Sequence, residues 1–233
     1  MAKQNRITPT TSRGGSIIVK DMQINNRAKN VFSLIFDEIC HLAKEHGAII
    51  NLGTAFRSAS VAEGFDIVTK EELKIQSTFC QKAKELGVGV VLEGPGHIPL
   101  NQLVSYWNHI KYMGVPPMPL GPIVTDCFSG FDHIVNAIGS ANFMMISKGG
   151  IINSITAVEH KGGIPNKSLI IEGIKSAKIA AQAASLTYCN ESFSLEQDVA
   201  KIRGNNESCI LDAHEKGCIR CSQLCPLIAN NYI

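Results

Sequence analysis

The loop at residues 92–99, LEGPGHIP, places the carboxylate of Glu93 and the imidazole of His97 close together in the chain. It follows an apolar run at 88–92 that is rich in β-branched residues, which predicts a buried strand. Two glycines and a proline remove side-chain bulk and fix the backbone, so that small groups can approach both side chains. The pattern predicts a functional site at the carboxyl end of a strand. The alternative is a strand-to-helix loop with an exposed acid and a surface histidine.

A second imidazole, His160, lies in a similar loop at residues 157–166, AVEHKGGIPN. Because both loops follow strands of one predicted sheet, a single rim could bring His97 and His160 to one metal ion. Imidazole suits zinc or iron(II), and a site with few protein ligands keeps open positions for substrate. The pair predicts a divalent metal site; the alternative is two ordinary surface histidines.

Three of the eight cysteines, Cys218, Cys221 and Cys225, have the spacing C-x2-C-x3-C near the C-terminal end of the sequence. Three thiolates leave one iron of a 4Fe-4S cluster open, which is what radical chemistry with S-adenosylmethionine requires. Two alternatives remain: a zinc knuckle completed by His214 or Cys209, or thiols without a ligand.

The elements that must position these groups alternate along the chain. Strands are predicted at 48–52, 88–92, 120–125 and 151–156, and helices at 30–45, 70–86, 101–112, 132–141 and 166–186. This alternation is typical of right-handed βαβ units, so the fold class is α/β with a parallel sheet. A closed (β/α)8 barrel takes about 250 residues, and four units supply half of one. We therefore expect half of a TIM-type barrel over residues 1–190 and a helical cysteine tail over 191–233.

Reactive side chains follow each predicted strand at its carboxyl end, where parallel α/β folds place their chemistry. They are Arg57, Glu93 with His97, Asp126, and Glu159 with His160. Residues 1–11 give no periodic signal and are expected to form a loose lead-in. The loop that follows at 12–16, SRGGS, has the composition of an anion-binding concavity, although a simple turn is the alternative.

Composition narrows the class of partner. The 233 residues carry 22 basic and 20 acidic side chains, a net charge of +2 without a basic patch, which argues against nucleic acid and anionic membranes. No unbroken apolar run approaches 20 residues, and no charged-then-apolar leader precedes the domain, so we expect a cytoplasmic protein with a small-molecule partner. The five scattered cysteines are then expected to be reduced thiols.

Together these motifs resemble the phosphomethylpyrimidine synthase family over nearly the whole chain. The matching segments, in order, are SRGGS at 12–16, FDEIC at 36–40, NLG at 51–53 with Arg57, EGPGH at 93–97, LGP at 120–122 with Thr125 and Asp126, GFDH at 130–133, EH at 159–160 with Pro165 and Asn166, and KIAA at 178–181.

The resemblance implies a homodimeric (β/α)8 barrel that makes the thiamine pyrimidine precursor. In such an enzyme a C-terminal 4Fe-4S cluster on a mobile tail reduces S-adenosylmethionine to a radical, which rearranges 5-aminoimidazole ribonucleotide into hydroxymethylpyrimidine phosphate. By residue matching, the cluster ligands would be Cys218, Cys221 and Cys225, and the ligands of a divalent metal, zinc or iron, would be His97 and His160. The substrate contacts would be Ser12, Arg13, Gly14, Thr54, Arg57, Glu93 and Met118.

The sequence departs from the family pattern at four places. The family substrate loop has aspartate-glycine-leucine-arginine where this chain has Thr54-Ala55-Phe56-Arg57, so a carboxylate is lost. Met118 replaces a family tyrosine, and the second cysteine gap is one residue shorter than in the family. The sequence also starts near the middle of the family barrel.

Three hypotheses follow. The chain is the C-terminal half of the enzyme, working with a separate N-terminal-half subunit or by pairing with itself. It is a paralogue that converts the same imidazole ribonucleotide into 5-hydroxybenzimidazole, a cobamide lower ligand. Or it is a non-catalytic remnant that binds a phosphorylated ligand, a metal or a partner chain. Because a half-barrel leaves strand edges unpaired, we expect an oligomer.

Overall fold

A computed structural model describes residues 5–10 and 12–229. The chain forms two compact units, with the division between Ala184 and Ser185. The sequence analysis places this division six residues later, after residue 190.

The first unit contains a parallel sheet, as the alternation of elements predicts. Its strands in the described residues are β1 (Ile50–Leu52), β2 (Val90–Glu93) and β3 (Pro117–Met118), in the order β1-β2-β3. The register places Leu52 opposite Leu92 and Glu93 opposite Met118. The central strand is therefore β2, the one whose end carries Glu93.

Helices precede, separate and follow these strands. They are α1 (Arg13–Ile24), α2 (Val31–Leu34), α3 (Phe36–Glu45), α4 (Ile67–Glu85), α5 (Leu103–Ile110), α6 (Asp132–Ser147) and α7 (Lys167–Ser185), with 3-10 turns at Leu100–Gln102, Lys111–Met113 and Glu159–Lys161. The predicted helix at 30–45 is interrupted at Ile35, whose φ of −108° and ψ of 20° lie outside the helical range. The predicted helix at 132–141 runs six residues further.

The predicted strand at 120–125 is wrong. The strand is instead Pro117–Met118, and beyond it a single isolated bridge joins His97 to Ile123. Prolines cause this, because Pro119 and Pro122 lack the N–H that a continuous ladder needs.

The predicted strand at 151–156 is also wrong, since these residues have no regular secondary structure. The segment still runs beside β3: the amide of Ile151 donates to the carbonyl of Pro117 at 2.9 Å, and the Asn153 side chain donates to the carbonyl of Pro119 at 2.8 Å. The second of these hydrogen bonds comes from a side chain instead of a backbone amide, so no β-ladder forms.

The core lies around β2, between the sheet and helices α3 to α6. Leu92 is 1% exposed, and the side chains of Leu103 and Phe143 are fully buried against it from α5 and α6. The other members of this cluster include Phe36, Cys40, Leu52, Leu73, Cys80, Val90, Tyr106, Ile110 and Met144. Burial of this apolar surface fixes where β2 ends and therefore where its loop begins.

Residues 5–10 are anchored rather than loose, which corrects the predicted lead-in where it is described. The Arg6 guanidinium is fully buried and donates to both carboxylate oxygens of Asp66, at 2.6 and 2.8 Å. It also donates to the carbonyl of Phe56 at 2.7 Å. Although burial by itself raises the pKa of Asp66, the hydrogen bonds from Arg6 and Thr69 outweigh it, and the net pKa is lowered. Arg6 therefore ties the loop after β1 to the start of α4.

The second unit consists of α8 (Asn190–Asn205), a loop closed by a 3-10 turn at Ser222–Leu224, and α9 (Pro226–Ala229). Within the loop, the amide of Gly217 donates to the carbonyl of Glu207 at 2.8 Å, and the Ser208 hydroxyl donates to the carbonyl of Gly217 at 2.9 Å. Across the described residues of both units, no helix is long and apolar enough to cross a membrane.

We expect Asp66→Asn to lower the free energy of unfolding by about 3 kcal/mol at pH 7, because it leaves the Arg6 charge buried without its counter-charge. Since the folded pKa of Asp66 is lowered, its contribution is present above the unfolded pKa of about 3.9 and lost as the pH falls through the folded pKa. The difference between wild type and variant in urea unfolding should therefore shrink below about pH 4.

The control is Glu71→Gln, five residues further along the chain in α4. Glu71 pairs with Lys74 at 2.5 Å, but the lysine is 71% exposed, so we expect a change below about 0.5 kcal/mol. A pH-independent difference for Asp66→Asn would contradict the assigned charge pair.

Candidate functional site

The site begins where β1 and β2 end side by side. Because Leu52 and Leu92 are in register, the loops at 53–57 and 94–97 leave the sheet at the same edge. Met118 lies directly opposite Glu93 in β3 and is half-buried. Parallel pairing therefore brings together three positions that are far apart in the sequence.

Glu93 is the centre of the hydrogen bonding at this edge. Its Oε1 accepts from the Thr54 hydroxyl at 2.8 Å and from the Arg57 guanidinium at 3.3 Å. The arginine also donates to the carbonyl of Thr54 at 3.2 Å, and burial lowers its pKa although Glu93, Glu72 and Glu159 raise it. Glu93 is thus held by a hydroxyl and a cation on the same loop.

Gly94 is required directly after Glu93. Its φ is +115°, and an added Cβ would lie 2.4 Å from the buried Tyr106 hydroxyl. A side chain here would displace either the loop or the tyrosine.

His97 and His160 meet, as the sequence predicts, although only the His97 loop follows a strand. Their ring centroids lie 4.8 Å apart in an edge-to-face arrangement. His97 is 7% exposed, and burial lowers its pKa although Asp126 raises it. The neutral imidazole is therefore favoured at His97.

Each imidazole is oriented by a carboxylate. Nδ1 of His97 lies 2.6 Å from Asp126, and Nδ1 of His160 lies 2.8 Å from Asp132, which also accepts from the amide of His160 at 3.2 Å. A carboxylate at Nδ1 keeps the proton there, so the lone pair of Nε2 is available. Neither Nε2 has a hydrogen-bond partner among the described residues.

Two imidazoles whose Nε2 atoms have no partner among the described residues are chemically suited to bind a divalent metal ion. In the described part of the chain, however, no three histidine, cysteine or acidic side chains are arranged to hold a metal. The protein would therefore supply two ligands at this point and leave the other positions to substrate or water.

A cavity of about 850 Å³ opens beside the Glu93 cluster. Ser12, Gly14 and Gly15 line it from the start of α1, and Thr54, Arg57 and Glu93 line it from the strand ends. Apolar side chains and α4 form the remaining wall, including Phe32, Phe36, Ile39, Val68, Ile75 and Phe79. A cavity of this size suits a small organic ligand.

The segment at 12–16 is the start of a helix rather than the predicted loop. Ser12 caps α1 and accepts from the amide of Gly15 at 3.0 Å. The amides of Arg13 and Gly14 have no acceptor within the described residues, so this end of α1 can accept an anion. The Arg13 side chain is exposed and does not line the cavity.

Gly15 sets how closely α1 approaches the substrate loop. A Cβ at this position would lie 2.2 Å from the carbonyl oxygen of Ala55. At Gly14, by contrast, an added Cβ would meet only the Ser12 hydroxyl, at 3.8 Å. Gly15, and not Gly14, is therefore the glycine that packs against the loop.

Two polar side chains of α4 close the cavity behind the loop. Oε1 of Glu72 accepts from the amides of Ala55 and Phe56 at 2.6 and 2.9 Å, and burial raises the pKa of Glu72. The Gln76 amide donates to the carbonyls of Leu52 and Gly53 at 3.3 and 2.9 Å. These contacts hold the loop backbone at the end of β1.

The cysteine motif lies in the second unit. Cys225 is 2% exposed, Cys218 is half-buried and Cys221 is exposed. The backbone amides of Cys221 and Arg220 lower the pKa of Cys218, which favours a thiolate. Three thiols in one short loop are suitable ligands for an iron-sulfur cluster. Among the described residues, however, they are not arranged around a common metal position.

Sequence reasoning identified Glu93, Arg57, His97 and His160, and the structure brings them to one edge. It did not identify Glu72, Gln76 or Asp132 as part of the site. A signal was present for the first two, because Thr69 and Gln76 belong to the buried stripe of α4 and Glu72, which is partly buried, lies between them at helical spacing. Asp132 gave no signal, since an acid in the first turn of a helix is ordinary.

The chain is similar to proteins of one family over most of its length. Residues 1–228 match the model of the radical SAM ThiC family. Curated relatives named phosphomethylpyrimidine synthase are 34% identical in Clostridium perfringens, over 99% of this chain and 57% of the relative, and 34% identical in Ignicoccus hospitalis, over 87% and 46%. A third, from Pelotomaculum thermopropionicum, is 37% identical over 79% of this chain and 42% of the relative. The chain spans about half the length of these relatives.

We expect Gly15→Ala to destabilise the protein by about 1–3 kcal/mol, because the new methyl group overlaps the Ala55 carbonyl. Thermal unfolding measures this change. Gly14→Ala, in the same turn of α1, is the matched control and should be neutral or slightly stabilising. Equal effects of the two substitutions would contradict the packing of α1 on the loop.

Proposed function

The chain belongs to the radical SAM ThiC family, and from this we propose that it carries the substrate half of a phosphomethylpyrimidine synthase. The proposed reaction converts 5-aminoimidazole ribonucleotide into hydroxymethylpyrimidine phosphate for thiamine biosynthesis, with a (β/α)8-type barrel completed by further strands. The observation that carries the proposal is the meeting of the Arg57–Glu93 pair with the His97–His160 pair at one sheet edge.

The phosphate of the substrate would bind at the start of α1. Ser12 and Gly14 line the cavity there, and unpaired amides together with the helix dipole favour an anion. Arg13 is exposed beside this point and would contribute its charge from outside the cavity wall.

The heterocycle would lie against Glu93. Thr54 replaces the family aspartate, and its hydroxyl donates to Glu93, so one carboxylate with two donors faces the cavity instead of two carboxylates. Glu93 and Arg57 would orient the ring, and Met118 would border it with an apolar side chain where the family has a hydroxyl.

His97 and His160 would hold a divalent metal, zinc or iron, next to the ring. Asp126 and Asp132 fix the tautomer that ligation needs. When bound, such a metal supplies a Lewis acid that orients a substrate oxygen or nitrogen.

Cys218, Cys221 and Cys225 would hold a 4Fe-4S cluster. The supporting observation is that they share one short loop in which Cys218 favours the thiolate. When bound, a cluster with one open iron supplies the electron that cleaves S-adenosylmethionine.

The assembly would be a homo-oligomer or a complex with an N-terminal-half subunit. In the described residues β1 forms an edge of the sheet, and an open parallel edge beside a ligand cavity needs cover. We propose a cytoplasmic location for this assembly.

Formation of 5-hydroxybenzimidazole from the same ribonucleotide is a second candidate. The loss of the loop carboxylate at Thr54 favours it, because enzymes that make different products from one substrate are expected to contact that substrate differently. Analysis of the product decides between them.

We expect anaerobic reconstitution to load about four iron and four sulfide per chain, and dithionite with S-adenosylmethionine to yield 5′-deoxyadenosine. Cys218→Ala, Cys221→Ala or Cys225→Ala should each abolish both, whereas Cys189→Ala, outside the motif, should not. Substrate turnover is measured with and without a candidate N-terminal-half subunit.

A colourless protein that leaves S-adenosylmethionine intact would favour a non-catalytic remnant. Retention of zinc that is lost on Cys209→Ala or His214→Ala would favour the zinc knuckle.

For the metal, we expect Asp126→Asn and Asp132→Asn each to weaken cobalt(II) binding at the histidines by about 10–100-fold. Absorption spectra separate nitrogen ligation from thiolate ligation by the cysteines. Asp198→Asn, on the exposed surface of α8, should have no effect. Unchanged affinity in both variants would remove the assigned role of the carboxylates.

A further inference from the structure

Glu93 uses its two carboxylate oxygens differently. Oε1 accepts from the Thr54 hydroxyl at 2.8 Å and from the Arg57 guanidinium at 3.3 Å. Oε2 has no hydrogen-bond partner among the described residues, but it is not one of the buried polar atoms without a partner, and the Glu93 side chain is 15% exposed. Because Glu93 lines the cavity, Oε2 is the acceptor that this carboxylate leaves open to a ligand.

Gly53 lies next to this open oxygen. A Cβ added at Gly53 would lie 3.5 Å from Oε2 of Glu93, and no other described atom outside its chain neighbours would lie within 4 Å. Gly53 is exposed and lines the cavity together with Glu93. The space beside Oε2 is therefore free of protein atoms because residue 53 has no side chain, and a ligand atom can enter it.

Thr54 acts on the other oxygen. Its side chain is largely buried, since the residue is 5% exposed, and the single hydrogen of its hydroxyl is donated to Glu93. Arg57 donates both to Glu93 and to the carbonyl of Thr54, at 3.2 Å for the carbonyl. The three residues thus form a closed set of hydrogen bonds that fixes the carboxylate group, and with it the position of Oε2.

We propose that Thr54 is a positioning residue and Gly53 a specificity-determining residue, which together present Oε2 of Glu93 as one acceptor for an N–H or O–H group of the ligand. The resemblance to the family implies instead that Thr54 contacts the substrate. This inference rests on the proposed function, under which the ligand is 5-aminoimidazole ribonucleotide. A charged acceptor selects a ligand that offers a donor at this point over one that offers only acceptors.

The role of Gly53 is tested by isothermal titration calorimetry of 5-aminoimidazole ribonucleotide with the full 233-residue chain. We expect Gly53→Ala to weaken binding at least about tenfold, because the methyl group takes the space of the donor and a hydrogen bond to a charged group is lost. Its melting temperature should stay close to that of wild type, since the methyl group meets no atom closer than 3.5 Å. Gly204→Ala adds a methyl group at an open position of α8 and is the control, with affinity unchanged.

The role of Thr54 is tested by the same titration. Thr54→Val keeps the shape of the side chain and removes the hydroxyl, and we expect binding about three- to tenfold weaker. Thr54→Ser keeps the hydroxyl and should bind nearly as well as wild type. In the Glu93→Gln background, Thr54→Val should cause no further loss, because its effect passes through Glu93. Thr78→Val makes the same change on the exposed side of α4 and should leave the affinity unchanged.

The contact between Thr54 and Glu93 is also measured without ligand. Thermal unfolding of wild type, Thr54→Val, Glu93→Gln and the double variant forms a double-mutant cycle. We expect the effects on the free energy of unfolding to be non-additive, because the hydroxyl and Oε1 are in direct contact in the free protein. Additive effects would overturn the positioning role of Thr54.

Two binding results would overturn the inference and leave the proposed function intact. One is an equal loss of affinity from Thr54→Val in the wild-type and Glu93→Gln backgrounds, which would mean that Thr54 contacts the ligand itself. The other is unchanged affinity of Gly53→Ala, which would mean that no ligand group approaches Oε2. Failure of wild type to bind the nucleotide would contradict the proposed function, and the unfolding cycle would still decide whether Thr54 positions Glu93.

Discussion

The register between β1 and β2 is the constraint on which the site depends. Because Leu52 is paired with Leu92, the loop with Thr54 and Arg57 and the loop with Glu93 and His97 start at the same height on one sheet edge. A shift by one residue would turn the Glu93 side chain to the opposite face. Burial of Leu92 in the core holds the register, so apolar packing on one side of the sheet positions a polar cluster at its end.

The loop after β1 is held mainly by side chains rather than by a ladder. The Gln76 amide donates to the carbonyls of Leu52 and Gly53, where β1 ends. Glu72 accepts from the next two loop amides, those of Ala55 and Phe56, and Arg6 donates to the carbonyl of Phe56. A loop whose backbone groups are satisfied in this way can be rigid without regular secondary structure. The loop therefore places Arg57 next to Glu93 in a defined position, although the three side chains that fix the loop are distant from it in the sequence.

The two histidines show a second level of the same organisation. Their rings meet because one follows β2 and the other follows the segment that runs beside β3, but their tautomers are set by Asp126 and Asp132. Asp132 is 4% exposed at the start of α6, so packing of that helix also orients an imidazole.

The sequence by itself determined the α/β class, the parallel sheet and the positions of Arg57, Glu93 and His97 after strands, because alternating periodicity and turn residues are local signals. It also predicted that His160 lies near His97, although no strand directly precedes His160. It misplaced the strands around 120–125 and 151–156, where prolines and side-chain hydrogen bonds replace the ladder. Only the tertiary structure decided that SRGGS begins a helix against the loop, that Arg6 is buried, and that Glu72 and Gln76 form hydrogen bonds with the loop backbone. These features depend on contacts between residues distant in the chain. Helical spacing can place Glu72 and Gln76 on one side of α4, but it does not identify the backbone groups that they contact.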